Sequence, residues 1–174
     1  MIKIKENFLP KNIFKQVHDK LFSETFIWYL AHDVVSYDVK WSATCEDIYN
    51  WQLIHNFYES PATFSQEINI MNSVMKIIDP RLLIRIKANL TPRADKIVEH
   101  GFHRDIEPPI PNATTAILYL NTNNGYTVFE DGSKVDSIAN TFVSFPSDIK
   151  HTGSTCTDTK FRGLINFNYI KGNV

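Results

Sequence analysis

The sequence predicts a mainly β domain supported by helices on its N-terminal side. Two amphipathic stripes at helical spacing lie before Pro80, and short apolar runs broken by turn residues fill the chain after it. Asn124-Gly125 stands between two of those runs as a hairpin signal. Strands this short and this regularly spaced call for a closed or two-sheet antiparallel architecture. The 174 residues fit one domain, 1–174, with 1–80 as helical support plus an aromatic-rich stretch and 81–172 as the β core.

The first helix is expected over residues 10–23. Ile13, Val17 and Leu21 recur every fourth position with Phe14 beside them, and Pro10 sits where a helix starts. The second runs through "TFSQEINIMNSVMKIIDP": Phe64, Ile68, Met71, Met75 and Ile78 share a face, Thr63 and Gln66 offer a capping box, and Asp79-Pro80 ends it. Between them, residues 25–60 carry all three tryptophans, Trp28, Trp41 and Trp51, without one period. That stretch is read as packing more than as a substrate wall, because large aromatics are usually buried.

After Pro80, "RLLIRIKANL" sets Leu83, Arg85, Lys87 and Asn89 against Leu82, Ile84, Ile86 and Ala88. "ATTAILYLN", "YTVFE", "SKVDSIA", "NTFVSFP", "HTGSTCT" and "FRGLINFNYI" follow as strand-like runs.

Charge and composition narrow the function classes. Eighteen Lys plus Arg against 19 Asp plus Glu give no field to draw in a nucleic-acid backbone or an anionic membrane. Cys45 and Cys156 form no CxxC, and "MIKIKENFLP" lacks the apolar run of a secretory signal, so a cytoplasmic protein is expected. No apolar stretch approaches the ~20 residues that cross a bilayer.

The chemistry concentrates in "HGFHRDI", residues 100–106. On a strand, His103 and Asp105 point to one side and Arg104 to the other, so an imidazole and a carboxylate can meet one ion. A pair is weak evidence; His151, after the turn "PSDIK", supplies a third donor if a folded-back double sheet brings it alongside. Two histidines and one carboxylate make the facial triad that suits non-haem Fe(II) and leaves positions open for cosubstrate and oxygen. His100 falls on the opposite strand face from His103 and is read as a surface residue or a supporting one. Arg162 opens the last strand on the parity of Leu164 and Asn166. A guanidinium inside a sheet structure needs an anion: either a ligand's carboxylate, or Asp136 or Asp158 in a structural ion pair.

The order "HRD", "TTAILYLN", "NGYTVFEDG", "NTFVSFPSDIKHTG" and "FRGLINFNYI" resembles the iron(II) and 2-oxoglutarate dependent oxygenases, in their prolyl 4-hydroxylase-like branch. The resemblance covers roughly residues 82–170. It implies a double-stranded β-helix, or jelly roll, with helices packed on the larger sheet. It implies that His103, Asp105 and His151 bind Fe(II), that Arg162 binds the distal carboxylate of 2-oxoglutarate, and that Tyr119 donates its hydroxyl to that carboxylate. A strand tyrosine also packs well as core whatever its hydroxyl does. Where many relatives place a tyrosine before the His-x-Asp, this chain has "KANLTPR", with Asn89 or Thr91 as possible stand-ins.

The implied reaction consumes 2-oxoglutarate and O2, releases succinate and CO2, and hydroxylates an unactivated C–H bond. Asp105 argues against halogenation, because halogenating relatives lack that carboxylate. The implied substrate is a prolyl or other peptide side chain, with a free amino acid or small metabolite next. A cupin-like metal protein without 2-oxoglutarate, or a non-catalytic jelly roll, is the reading from another class. Residues 105–113, "DIEPPIPNA", leave the metal site either as a covering loop or as a rigid connector. Cys156 is expected to be a packed thiol.

Overall fold

The structure, a computed structural model, describes residues 1–36 and 41–172; positions 37–40 of the aromatic-rich stretch and the last two of the 1–174 domain lie outside the described residues. In chain order the elements are β1 (Lys3–Lys5), α1 (Lys11–Leu21), β2 (Tyr29–Ala31), β3 (Gln52–Glu59), β4 (Ala62–Thr63), α2 (Asn72–Ile78) and β5 (Pro80–Pro92). They continue with β6 (Ala113–Tyr119), β7 (Tyr126–Phe129), β8 (Lys134–Asp136), β9 (Phe142–Pro146), β10 (His151–Gly153) and β11 (Phe161–Lys171).

The α1 stripe does what its spacing requires: Val17 and Leu21 are buried, with Ile13 and Phe14 packed beside them. The second helical stretch differs at its start. Its first part, Gln66–Met71, is a 3-10 helix that runs into α2, and the cap is Ser65, whose Oγ accepts from Glu67 N–H at 3.0 Å. Thr63 cannot cap because its backbone is used in β4, opposite Tyr58. Phe64 then falls before the helical face and is exposed. The far end is as expected: Asp79 turns left-handed at φ 51°, its N–H reaches Met75 O at 2.8 Å, and Pro80 opens β5.

The larger sheet runs β1-β9-β6-β11-β5-β3-β2, with β4 on β3, and the smaller runs β10-β7-β8. Residues 99–103 extend the smaller sheet beside β10 through bridges Glu99 to Ser154 and His103 to His151. One face of the larger sheet packs on the helices through Phe57, Ile86, Ala88, Ile165 and Phe167. The other closes on the smaller sheet through Ile117, Tyr119, Phe129, Val143, Phe145 and Leu164. This is a double-stranded β-helix, and the period of two along β11 decides its function: Ile165 and Phe167 go to the helices, so Arg162, Leu164 and Asn166 go between the sheets.

Asn124-Gly125 is no hairpin turn, because β6 pairs with β9 and β11 while β7 pairs with β8 and β10. The segment crosses between sheets, and Asp158 holds the Asn124 N–H at 3.0 Å. A β-hairpin does join β7 to β8, where Gly132 takes φ +83° and donates its N–H to Phe129 O. Part of the aromatic-rich stretch is a long strand, β3, that widens the larger sheet beside β5.

Candidate metal centre

His103 and His151 are joined through their backbones, each N–H donating to the other's carbonyl at 3.0 Å. Their rings lie 5.0 Å apart, and Nε2 of His103 is 4.0 Å from Asp105 Oδ1. Ligand atoms of His103, Asp105 and His151 all fall within 4.8 Å of one another. The first and third of these residues come from distant stretches of chain, and the strand pairing is what unites them.

Two of the three donors, His103 and Asp105, are oriented by polar neighbours. His103 Nδ1 faces Gly101 O at 2.9 Å; with that nitrogen donating, Nε2 is the free lone pair on the Asp105 side. Asp105 meets Arg85 Nη2 at 3.3 Å and accepts from Asn168 Nδ2 at 3.3 Å. Burial favours its protonated form, but Arg85, His151, His103 and Lys87 outweigh that and hold the carboxyl well below the usual range. His151 is pushed down to about 4 by burial, against the pull of Asp105. A neutral His151 imidazole and an ionised Asp105 carboxylate are protonation states that a divalent cation needs. The donor set also suits iron: two nitrogens and one oxygen, with no thiolate among them.

A narrow polar cavity leads from these residues to Arg162. The guanidinium is 2% exposed, and its Nε donates to Ser137 Oγ at 2.6 Å and its Nη2 to Thr127 Oγ1 at 3.0 Å. Neither Asp136 nor Asp158 pairs with it, and among the described residues it has no carboxylate partner. A buried cation with only hydroxyls beside it is costly unless an anion comes to it. Tyr119 lies under the guanidinium at 5.4 Å, with its hydroxyl donating to Thr127 Oγ1 at 2.8 Å. Thr127 therefore accepts from both, and its own hydrogen is left for something in the cavity.

Other groups along this cavity lack partners in the same way. Asn89 Oδ1, Asn166 Oδ1, His100 Nε2 and His151 Nδ1 are buried without a hydrogen bond. Four orphaned polar atoms around one cavity are what a site built for a polar ligand looks like before the ligand is counted. His100 is thus no surface residue: it is 1% exposed, lines the cavity with Arg162, and is pushed down to about 4 by burial, with Arg162 and His103 adding to it. Both stand-ins named from the sequence, Asn89 and Thr91, line the cavity. Thr127, on β7, and Ser137, just past β8, carry no signal of their own in the sequence.

A wider cleft of ≈ 970 Å³ adjoins His103 on the outside and is lined by Val34, Val35, Trp41, Phe102 and Arg104. Of the three tryptophans, Trp28 packs against the core, Trp51 is exposed and Trp41 lines this cleft. Rim charges cancel in pairs, Arg104 with Glu107 at 2.9 Å and Lys150 with Glu130 at 3.6 Å. Cys156 is buried against Thr159, as a packed thiol should be.

No family model matches the chain, and no curated protein matches it in sequence. Solved structures do match. A prolyl hydroxylase from Trichoplax adhaerens, in complex with a hypoxia inducible factor oxygen degradation domain peptide fragment, superposes with a TM-score of 0.67 at 14% identity over 98% of this chain and 83% of that one. An oxidoreductase of the 2OG-Fe(II) oxygenase family from Burkholderia pseudomallei gives 0.67 at 10% identity over 99% and 86%. The non-heme alpha ketoglutarate dependent epimerase SnoN from nogalamycin biosynthesis gives 0.63 at 10% identity over 98% and 78%. The chain has the double-stranded β-helix fold of prolyl hydroxylases and other 2-oxoglutarate-Fe(II) oxygenases.

Proposed function

We propose that the protein is an Fe(II)- and 2-oxoglutarate-dependent dioxygenase that hydroxylates a C–H bond of its substrate. The observation that carries this reading is Arg162, buried beyond the His103, Asp105 and His151 cluster and held by hydroxyls instead of a carboxylate. A metal site alone fits many proteins; a metal site with an unpaired guanidinium in the same narrow cavity fits a diacid that spans the two. That arrangement disfavours a cupin-like metal protein that does not use 2-oxoglutarate.

When bound, iron with 2-oxoglutarate and O2 supplies an oxidising centre that yields succinate and CO2 and inserts oxygen into a C–H bond. The chain's residues do the rest. His103, Asp105 and His151 would hold the ion, and three protein donors would leave positions free for the cosubstrate and oxygen. Arg162 grips the distal carboxylate, Thr127 donates its remaining hydrogen to it, and Tyr119 stacks beneath the guanidinium and fixes Thr127 from behind. Ile117 and Leu164 line the cavity, and Val143 and Phe145 belong to the same apolar cluster, which keeps bulk water out.

The substrate favoured by resemblance is a prolyl or other peptide side chain, entering by the Trp41 and Phe102 cleft. A free amino acid or small metabolite is the second reading, favoured by Lys87, a cation inside the cavity. The two unpaired thiols suit a cytoplasmic setting. Among the described residues no helix is long and apolar enough to cross a membrane. The test is absorption of the anaerobic protein with Fe(II) and 2-oxoglutarate: a weak visible charge-transfer band is expected, and its absence, with no succinate formed in air, rules the reading out. Mass spectrometry for an added oxygen across peptide and metabolite pools then identifies the substrate.

A further inference from the structure

Lys87 is the cavity charge that this function does not use. It stands on β5 between Arg85 and Asn89, on the face that looks into the metal cavity. Across the strand pair it sits opposite Asn166 of β11. Among the described residues its ammonium makes no hydrogen bond and no ion pair, and neither do the side chains of Asn89 and Asn166. Burial lowers its pKa, Arg85 adds to that, and Asp105 and the exposed Glu59 oppose it without reaching ion-pair distance.

Charge counting says what this group is for. A divalent ion and the dianion of 2-oxoglutarate cancel. The chain itself brings one negative charge, Asp105, and three positive ones, Arg85 and Lys87 near Asp105 and Arg162 elsewhere along the cavity, so the loaded site carries two positive charges in excess. Rim charges do not correct this, because they pair among themselves. An enclosed excess of that size is unfavourable unless the molecule that enters last brings negative charge.

Resting on the dioxygenase reading, we infer that the substrate presents a carboxylate to Lys87, flanked by the amides of Asn89 and Asn166. The carboxylate is either the α-carboxylate of a free amino acid or an acidic side chain of a peptide; the chemistry is shared. Lys87 is then a specificity residue that sets a charged group of the substrate beside the metal and so chooses which C–H bond faces the oxidant.

Protein loaded with Zn(II) in place of iron and with 2-oxoglutarate tests this by binding alone. The probes are the proteinogenic amino acids, their α-carboxamides, and their N-acetylated carboxamides as peptide mimics, followed by ligand-observed NMR and calorimetry. At least one probe bearing a carboxylate is expected to bind. Its amide should bind more weakly by about tenfold or more. Lys87→Met should lose the same factor while 2-oxoglutarate affinity changes by less than about threefold, which also shows that the variant is folded. Lys87→Arg should keep most of the binding. Selection of free acids over both amide sets identifies an amino acid; binding of N-acetylated aspartyl or glutamyl amides identifies a peptide side chain. The inference is overturned if no carboxylate probe binds the loaded wild type, if Lys87→Met binds it equally well, or if the loss falls on 2-oxoglutarate instead. Failure of the wild type to take up Zn(II) and 2-oxoglutarate at all is a different result, and it defeats the dioxygenase reading itself.

Discussion

His103 and His151 exchange both of their backbone hydrogen bonds, at 3.0 Å each, so the two imidazoles leave adjacent strands on the same side. A hydrogen-bonded antiparallel pair fixes its Cα atoms about 5.5 Å apart. The ring spacing of 5.0 Å is therefore set by the sheet and not by an ion. A site held this way is formed before metal arrives, and metal binding need not be coupled to folding as it is in small zinc domains. The ligand-free protein should accordingly unfold cooperatively.

Arg162→Ala should raise the 2-oxoglutarate concentration needed for half-maximal succinate release by about 10- to 100-fold, the worth of one or two charge-assisted hydrogen bonds. Iron affinity, measured separately by anaerobic titration, should stay within about threefold, because no metal donor touches the guanidinium. Equal loss of both would mean that the arginine only holds the fold.

Gly125 gives the aliphatic stem of Arg162 its room. A Cβ there would come within 2.7 Å of Thr155 O and 2.8 Å of Arg162 Cδ. Gly125→Ala should cost about 1–3 kcal/mol of stability through overpacking, read from urea unfolding. It should also weaken 2-oxoglutarate binding, since Arg162 must shift. An unchanged cosubstrate requirement would show that the cavity end is softer than its packing implies.

Much of the site was legible because a strand has a period of two. Placing Arg162 with Leu164 and Asn166 needs only parity, and β11 keeps it; Asp105 instead lies in a bend just past the His103 bridge, so its meeting with His103 is not set by strand parity. What parity cannot supply is the partner across the cavity. Thr127 and Ser137, which fix Arg162, sit on or beside other strands and look like ordinary polar residues in the sequence. The same limit hid the isolation of Lys87, whose face was readable and whose lack of a partner was not. β3 escaped notice because its alternation slips at the irregularity between Asn56 and Tyr58. Asn124-Gly125 misled for the opposite reason: a strong local turn signal was overridden by β6 pairing with β9 and β11 inside the larger sheet.

Acid should weaken the ligand-free protein before its carboxylates titrate. His100 and His151 fall to about 4 in the fold, against an unfolded value near 6.5. Between those limits the unfolded chain binds more protons, so this stability is complete above about pH 6.5 and is lost as pH falls toward 4. Each histidine is worth on the order of 3 kcal/mol, about 6 for the two together. Urea unfolding in the presence of a chelator from pH 7.5 to 4.5 should show the decline, and His100→Gln should remove part of it. A flat profile across that window would mean that neither imidazole is kept neutral by the fold. Asp105, held below the usual carboxylate range, adds its own loss only at still lower pH.

Asp105→Ala should abolish turnover, and the reason can be separated from simple unfolding. The carboxylate is one donor to the ion and is also the counter-charge of Arg85, 3.3 Å away, with Lys87 close behind. Deleting it leaves two cations facing each other in a polar but enclosed space, at a cost of about 3 kcal/mol to the ligand-free fold. Metal affinity should fall by more than about 100-fold, beyond the range seen when a supporting residue is removed. Asp105→Asn distinguishes the two roles: the amide keeps the shape and can accept from Asn168, so it should unfold at a urea concentration closer to wild type than the alanine variant does. It should nonetheless bind iron as poorly, because a neutral amide oxygen is a weak donor beside two histidines. Undiminished succinate release from either variant would take Asp105 out of the metal site, and with it the triad on which the proposed chemistry depends.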